Sequence, residues 1–323
     1  MEERVVATHT DPRLAYKARK SRLRRFGERV LVRTIALTVY PLLWALPIRS
    51  LRGIARVMAF LGRVTSPART RLADENIRGV YGDSITDAEV VRIRNGAALN
   101  AFKTMAELLK LRWLTADEVR ALTRIEGREH LDAALARGNG VCVVTAHFGN
   151  WELAGAALSL AGYPMNVVAR DADDPLMREL INGSRRSKGI NVFGRQDVRR
   201  LVKVLRNNEI VALVPDQHAS EAAVRLRFLG RVADTHTGPA TFAQRLGTAI
   251  IPVFAVRQPD DTILVEVHPA LDLPSTGDRQ NDIIASTQMI NDALGEGILR
   301  HPEQWLWFHN RWKAEKQIAS GGS

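Results

Sequence analysis

The sequence predicts an α/β fold: a central, mostly parallel sheet flanked by helices, with an N-terminal helical membrane-associating segment. Three observations predict it. From Gly138 onward, short β-branched runs alternate with helix-length stretches, the pattern of a sheet covered by helices on both faces. Before that point, arginines and aliphatics recur at helical spacing directly after a short apolar run. Hydrophobic residues make up 46% and charged residues 25%, ordinary for a folded chain and too apolar for a disordered one. A length of 323 residues suits one large α/β domain with an attached N-terminal element, or two small domains. The division read here is 1–67 for a basic leader and membrane-associating helices, 68–317 for the α/β domain and 318–323 for a flexible tail.

Residues 13–25 form a basic cluster, followed by an apolar stretch at 34–48 broken by Pro41 and Pro47. That stretch falls short of the roughly 20 residues a spanning helix needs. No cleavable signal peptide is read, because the first apolar stretch begins only after the long basic leader. Arg49, Arg52, Arg56 and Arg63 then recur at helical spacing, with Ile54, Val57, Met58 and Leu61 opposite them. A helix lying among lipid headgroups needs such faces; the alternative is a core helix with its arginines in water. Lys plus Arg total 46 against 35 acids, a net charge of +11. Such a surface seeks polyanions, and beside apolar segments the expected partner is anionic membrane lipid.

Residues 68–120 read as helices, with Asp87 and Asp117 as helix starts. Strands are expected at 141–146, 165–169, 190–193 and 210–215. Helices at 151–161, 175–186 and 197–206 separate them, and a further helix covers 241–246. The strand 249–256 turns at Pro259-Asp260-Asp261 into 262–268, an antiparallel hairpin. A last helix covers 282–299. The single Cys142 lies in an apolar run and allows no intramolecular disulfide; it reads as a small buried hydrophobe.

Three strand ends carry polar side chains: His147, Arg170 and Asp216. Ligands of open α/β sheets bind outside the carboxyl ends of the strands, so the three are expected to share one cleft. Glu152 lies five residues beyond His147, and on a continuous helix the two would stand about 140° apart. A turn through Phe148-Gly149-Asn150, with Asn150 as N-cap, can return the carboxylate to the imidazole. A carboxylate on one ring nitrogen fixes the tautomer and leaves the other nitrogen to take a proton. Eight histidines and 35 acids yield about one such spacing by chance, so the spacing also admits a structural histidine. The strand end, glycine turn and helix start are what favour a base.

HFGNWELAG (147–155), VPDQ (214–217) and WLWFHNRWK (305–313) resemble the bacterial lipid A late acyltransferases, a branch of the lysophospholipid acyltransferase superfamily marked by H-x-x-x-x-D/E. The resemblance runs from about residue 76 onward. It includes EGREHLDAALARGNG (126–140), the R-x-x-x-G of Arg185 to Gly189, FLG (228–230) and TGPATFAQRLGTAIIPVF (237–254). It implies that His147 removes a proton from a sugar- or lipid-linked hydroxyl, which attacks a long-chain acyl thioester of acyl carrier protein or coenzyme A. Glu152 would orient the imidazole. Arg170 or the backbone N–H groups of 148–150 would hold the oxyanion. No tightly bound cofactor is implied.

Asp216 matches an acidic position of the family and reads either as catalytic or as a strand-end cap; Arg170 reads equally as a salt-bridge partner of Asp171, Asp173 or Asp174. Candidate substrate-binding residues are Asn150, Arg185, Gly189, Trp307, His309 and Arg311. The tail from Trp305 to Trp312 either meets the acceptor headgroup or membrane interface, or docks on the core. Arg185, Arg186 and Lys188 either hold phosphates or form a solvated helix face. The wider superfamily often has Asp in place of Glu152. VPDQ stands where glycerolipid acyltransferases carry a proline–glutamate block, which favours a glycolipid acceptor resembling a lipid A precursor. A phosphatidylinositol mannoside or another lysolipid is the alternative. The implied location is the cytoplasmic face of a bacterial inner membrane.

Other classes fit less well. Aromatics at 6% and the lack of a recognisable motif argue against nucleic acid. No G-x-S-x-G elbow and no H-E-x-x-H or paired cysteines occur, against a serine hydrolase or zinc enzyme.

Overall fold

The structure, a computed structural model, describes residues 44–169, 172, 174–219 and 223–315, with Gly27, Val30, Arg33, Thr34 and Tyr40. The basic cluster at 13–25, much of the apolar stretch at 34–48, Arg170 and the tail 318–323 lie outside the described residues.

The fold is α/β. Its seven-stranded sheet runs β1 (Thr123–Glu126), β9 (Ile263–Val267), β8 (Ala249–Arg257), β2 (Val141–Val144), β5 (Ile210–Leu213), β3 (Met165–Val168) and β4 (Asn191–Phe193). Every neighbouring pair is parallel except the hairpin of β8 and β9. β2 lies at the centre and its four residues are all buried, so its sequence is continuously apolar without alternation. Val141 and Val143 join a cluster with Leu153, Ala156 and Ala157 on one face. Cys142 and Val144 join Phe254, Trp305 and Trp307 on the other. Burial pushes the Cys142 thiol pKa up, as suits an inert core group.

The helices α1 (Ile48–Thr65), α2 (Pro67–Tyr81), α3 (Asp87–Leu111), α4 (Ala116–Leu122) and α5 (Arg128–Leu135) precede or flank the first strands. Thr86 and Thr115, one and two residues before the aspartates read as helix starts, cap α3 and α4. Each forms a reciprocal capping box, with Glu89 and Glu118 respectively; such a cap is worth about 1 kcal/mol. α6 (Trp151–Leu160), α7 (Pro175–Arg186), α8 (Val198–Arg206), α9 (Gly238–Leu246) and α10 (Arg279–Arg300) fall close to their expected places. The sequence reading missed β1 and an antiparallel pair, β6 (Ala223–Phe228) with β7 (Arg231–His236). The FLG motif supplies the turn of that pair, with Leu229 and Gly230 both at positive φ.

α1 settles which way its two faces point. Leu51, Arg52, Ala55 and Ala59 are buried, while Ile54, Val57, Met58, Phe60, Leu61 and Val64 are exposed. Of the core-helix alternative, the solvent-facing arginines hold at Arg49 and Arg56 and the helix packs inward through Leu51, Ala55 and Ala59, but the aliphatics Ile54, Val57, Met58 and Leu61 point outward instead of into the core. Arg52 also departs from its expected solvent face: it is buried and paired with Glu107 at 2.6 Å. Among the described residues, no helix is long and apolar enough to cross a membrane.

Candidate active site

The register of β2 and β5 builds the site. Val144 pairs with Leu213, and His147 and Asp216 each follow three residues later, so parallel strands about 4.8 Å apart deliver them side by side. Asp216 Oδ1 lies 2.8 Å from His147 Nδ1, and Oδ2 accepts from the His147 main-chain N–H at 2.8 Å. Oδ2 also accepts from the Trp305 indole at 2.8 Å. Asp216 is buried, whereas a quarter of the His147 side chain is exposed. The Gln217 amide nitrogen stands 3.5 Å from His147 Nε2, and the Trp151 ring meets the imidazole edge-on with centroids 5.1 Å apart.

The electrostatics follow from the contacts. Burial disfavours the imidazolium, but the charge and hydrogen bond of Asp216, helped by Glu152 and opposed by Arg185, leave the His147 pKa above its ordinary value. Burial would likewise raise the Asp216 pKa; His147 and the indole outweigh it, and the carboxylate stays below its usual range. The pair therefore favours an ionised aspartate beside a readily protonated imidazole.

Glu152 does not orient that ring. Its carboxylate accepts from Arg185 Nε at 2.9 Å and Nη2 at 2.6 Å, and from the Trp151 indole at 3.1 Å. Arg185 is largely enclosed, so its charge requires a counter-ion, and the first turn of α6 faces α7 to supply it. Glu152 acts on His147 only through its charge. The turn's N–H groups are not free for an oxyanion either. Phe148 N donates to Ala146 O at 2.7 Å, Gly149 N to Gln304 O at 3.0 Å and Asn150 N to Ala255 O at 3.0 Å.

Residues 19–314 match the family described as bacterial lipid A biosynthesis acyltransferase. The chain belongs to that family. It is 30% identical over 196 residues to a phosphatidylinositol mannoside acyltransferase of Mycobacterium tuberculosis, covering 59% of this chain and 60% of that relative. It is 29% identical over 205 residues to a lipid A biosynthesis palmitoleoyltransferase of Escherichia coli, covering 62% and 65%. A lauroyltransferase of lipid A biosynthesis from the same organism is 26% identical over 211 residues, covering 64% and 67%. The match thus spans about 60% of the length of the mycobacterial relative.

Within this family member, several expected ligand contacts prove to be internal. Asn150 is buried; its Oδ1 caps α6 through Leu153 N at 2.9 Å, and its Nδ2 donates to Glu107 at 2.5 Å. Trp307 is also buried, donating to Pro302 O at 2.7 Å and packing edge-on against Trp305 at 4.7 Å. Arg311 is buried too, donating to Thr235 Oγ1 at 2.7 Å, to Asp234 O, and to Gln217 O at 3.3 Å. Burial lowers its pKa to about 10, so the guanidinium stays charged while it braces the loop after Asp216. His309 Nε2 accepts the His218 N–H at 3.0 Å. Burial holds its pKa at about 4, so it is neutral near pH 7 and offers no cation to a phosphate. Gly189 has φ +76, and a Cβ there would press on Ser159 Oγ at 3.1 Å; its role is a turn.

The aromatic tail accordingly docks on the core, and it laces onto the turn at His147 and Phe148. Leu306 N donates to His147 O at 3.1 Å, and Phe148 bridges to Trp305. Sequence reasoning placed Trp305 in this tail but missed its hydrogen bond to Asp216, for which a tryptophan-rich tail was the only signal. Lys188 is buried with Nζ on Leu114 O at 2.6 Å, and Arg186 pairs with Glu179 at 2.7 Å. Among the described residues, no cluster of His, Cys, Asp and Glu could hold a metal ion.

Proposed function

We propose that this chain transfers a long-chain acyl group from a thioester to a hydroxyl of a glycolipid at the cytoplasmic face of a bacterial inner membrane, with His147 as general base oriented by Asp216. The observation that carries this reading is the imidazole–carboxylate pair at the carboxyl ends of two central strands, with Nδ1 held by Asp216 and part of the ring reaching solvent. Family membership supplies the reaction class.

In this reading, Nε2 takes the proton of the acceptor hydroxyl as its oxygen attacks the thioester carbonyl. The imidazolium is stabilised by ionised Asp216. When the tetrahedral intermediate collapses, the carbon–sulfur bond breaks and the imidazolium returns its proton to the departing thiolate. A base so placed contributes roughly 10²–10⁴ in rate. The Gln217 amide, 3.5 Å from Nε2, is the candidate donor to the oxyanion, together with Arg170, which follows β3 in the chain. Arg185 and Glu152 form a charged wall beside the base.

The exposed aliphatic face of α1, with exposed Trp44 just before it, suits a helix seated in an anionic lipid surface. Arg199, Arg200 and Lys203 are exposed along α8 and suit an acidic carrier protein as donor. The acceptor class rests on the relatives, which are named for lipid A and for phosphatidylinositol mannosides. The test incubates the purified chain with labelled acyl carrier protein or acyl coenzyme A and either a lipid A precursor or a phosphatidylinositol mannoside, with mass spectrometry of the lipids. Wild type should acylate one acceptor and His147→Ala should not; a folded His147→Ala protein at wild-type rate excludes the assigned base.

A further inference from the structure

The inner face of α3 is unusual for a packed helix. Asn100, Thr104 and Glu107 recur three and four residues apart and are buried, where an apolar stripe would ordinarily stand. Each reaches the turn after His147. Asn100 Nδ2 and Thr104 Oγ1 both donate to Gly149 O at 2.8 Å. Glu107 Oε2 accepts from Asn150 Nδ2 at 2.5 Å.

Glu107 also faces the other way. Its Oε1 accepts from Arg52 Nε of α1 at 2.6 Å. Arg257 straddles the carboxylate, donating from Nη1 to Oε1 at 2.9 Å and from Nη2 to Oε2 at 2.7 Å. One enclosed carboxylate thus receives four donors, one from α1, one from the catalytic turn and two from β8. A buried ion cluster is seldom the most stable filling for a core, since well-packed apolar groups often serve as well. It does hold its members to one geometry, because any shift leaves a charge without a partner.

We propose that Glu107 is a positioning residue that ties the seating of α1 to the geometry of the His147 turn, through Arg52 on one oxygen and Asn150 on the other. This rests on reading His147 as the base. The outward face of α1 is apolar and exposed, while its inward Arg52 contacts the group that holds Asn150. A tilt of α1 on a lipid surface therefore reaches the catalytic turn through two hydrogen bonds.

The experiment uses the full chain with anionic phosphatidylglycerol vesicles at saturation and compares Arg52→Gln, Arg52→Lys and Glu107→Gln. Rates, vesicle cosedimentation, near-ultraviolet circular dichroism and the nuclear magnetic resonance signal of the His147 Nδ1 proton are recorded. Arg52→Gln should lower kcat by about tenfold, the scale of a small misplacement of a catalytic group. Its KM and vesicle binding should stay unchanged, the Nδ1 signal should move, and Arg52→Lys should restore part of the rate. Should Glu107→Gln not fold, Arg52→Gln carries the test alone, because its side chain does not touch the turn. A folded Arg52→Gln protein with an unmoved Nδ1 signal overturns the proposal, as does a rate loss explained wholly by weaker vesicle binding. Activity surviving in His147→Ala would instead refute the base assignment, and the ring signal would still report on the linkage.

Discussion

Asp216 grips His147 at two points, its ring Nδ1 and its own backbone N–H, each at 2.8 Å. The double contact fixes both the position of the residue and the orientation of its ring. With Nδ1 so engaged, Nε2 is the nitrogen that the proposed reaction leaves to exchange a proton with substrate. The Trp305 indole completes the carboxylate's shell and ties the C-terminal segment to the His147–Asp216 pair.

Replacing Asp216 by Asn should therefore be the more damaging of two carboxylate-to-amide changes. Loss of the negative partner should lower kcat by about 10²–10⁴. Glu152→Gln should retain more activity and lose more stability, about 3–5 kcal/mol, because Arg185 is left as an enclosed charge without its anion. Steady-state kinetics and urea denaturation of the two variants separate these effects. A Glu152→Gln protein slower than Asp216→Asn but equally stable would return the orienting role to Glu152.

The pH profile supplies an independent check. If His147 is the base, as proposed, it works only when neutral, so activity is present above its pKa and lost as pH falls through it. In the folded protein that pKa lies above the ordinary value of 6.5, because Asp216 outweighs burial. The acid limb of kcat/KM should accordingly sit above pH 6.5 in wild type. Asp216→Asn removes the opposing charge, burial then dominates, and the limb should move to lower pH. A limb that stays in place in the variant would mean that another group controls it.

Much of this was legible in the chain. His147 and Asp216 each follow a short β-branched run, so their placement at strand ends could be read locally. Their partnership could not, since 69 residues separate them and the pairing of β2 with β5 leaves no local trace. Glu152, five positions from the histidine, was the nearer candidate, and only the burial of Arg185 on another helix draws it away. The polar stripe of α3 reads as an ordinary solvent face until α1 and β8 cover it. The aromatic tail was ambiguous for a related reason: tryptophan serves a membrane interface or a core equally well, and the choice depends on what lies opposite. The α1 faces were correctly separated in sequence except at Arg52, whose burial depends on Glu107 55 residues away.

The outward face of α1 makes its own forecast. Val57 and Leu61 are exposed and one turn apart, so aspartates there disturb no core packing. Val57→Asp with Leu61→Asp should leave the melting temperature nearly unchanged, as surface changes usually stay within about 0.5 kcal/mol each. Binding to phosphatidylglycerol vesicles should fall sharply, with activity on lipid acceptors falling in parallel. Unimpaired vesicle binding in the double variant would remove α1 from the membrane contact.

Gly149 is the position where the turn tolerates least. Its φ is +54, and a Cβ there would run into the Ala255 carbonyl, a backbone atom that accepts the Asn150 N–H. Neither side can yield cheaply: β8 is held between β2 and β9, and the Gly149 carbonyl is fixed by Asn100 and Thr104. Gly149→Ala thus combines a conformation that L-residues avoid with a steric clash, and should cost more than about 1 kcal/mol in stability. Relief of the clash would displace the segment carrying His147, and a shift near 1 Å at a catalytic group can lower the rate about 10²-fold. Thermal unfolding and kcat of Gly149→Ala test both parts together. An alanine variant with wild-type stability and rate would mean that the turn is not held as tightly as these contacts require.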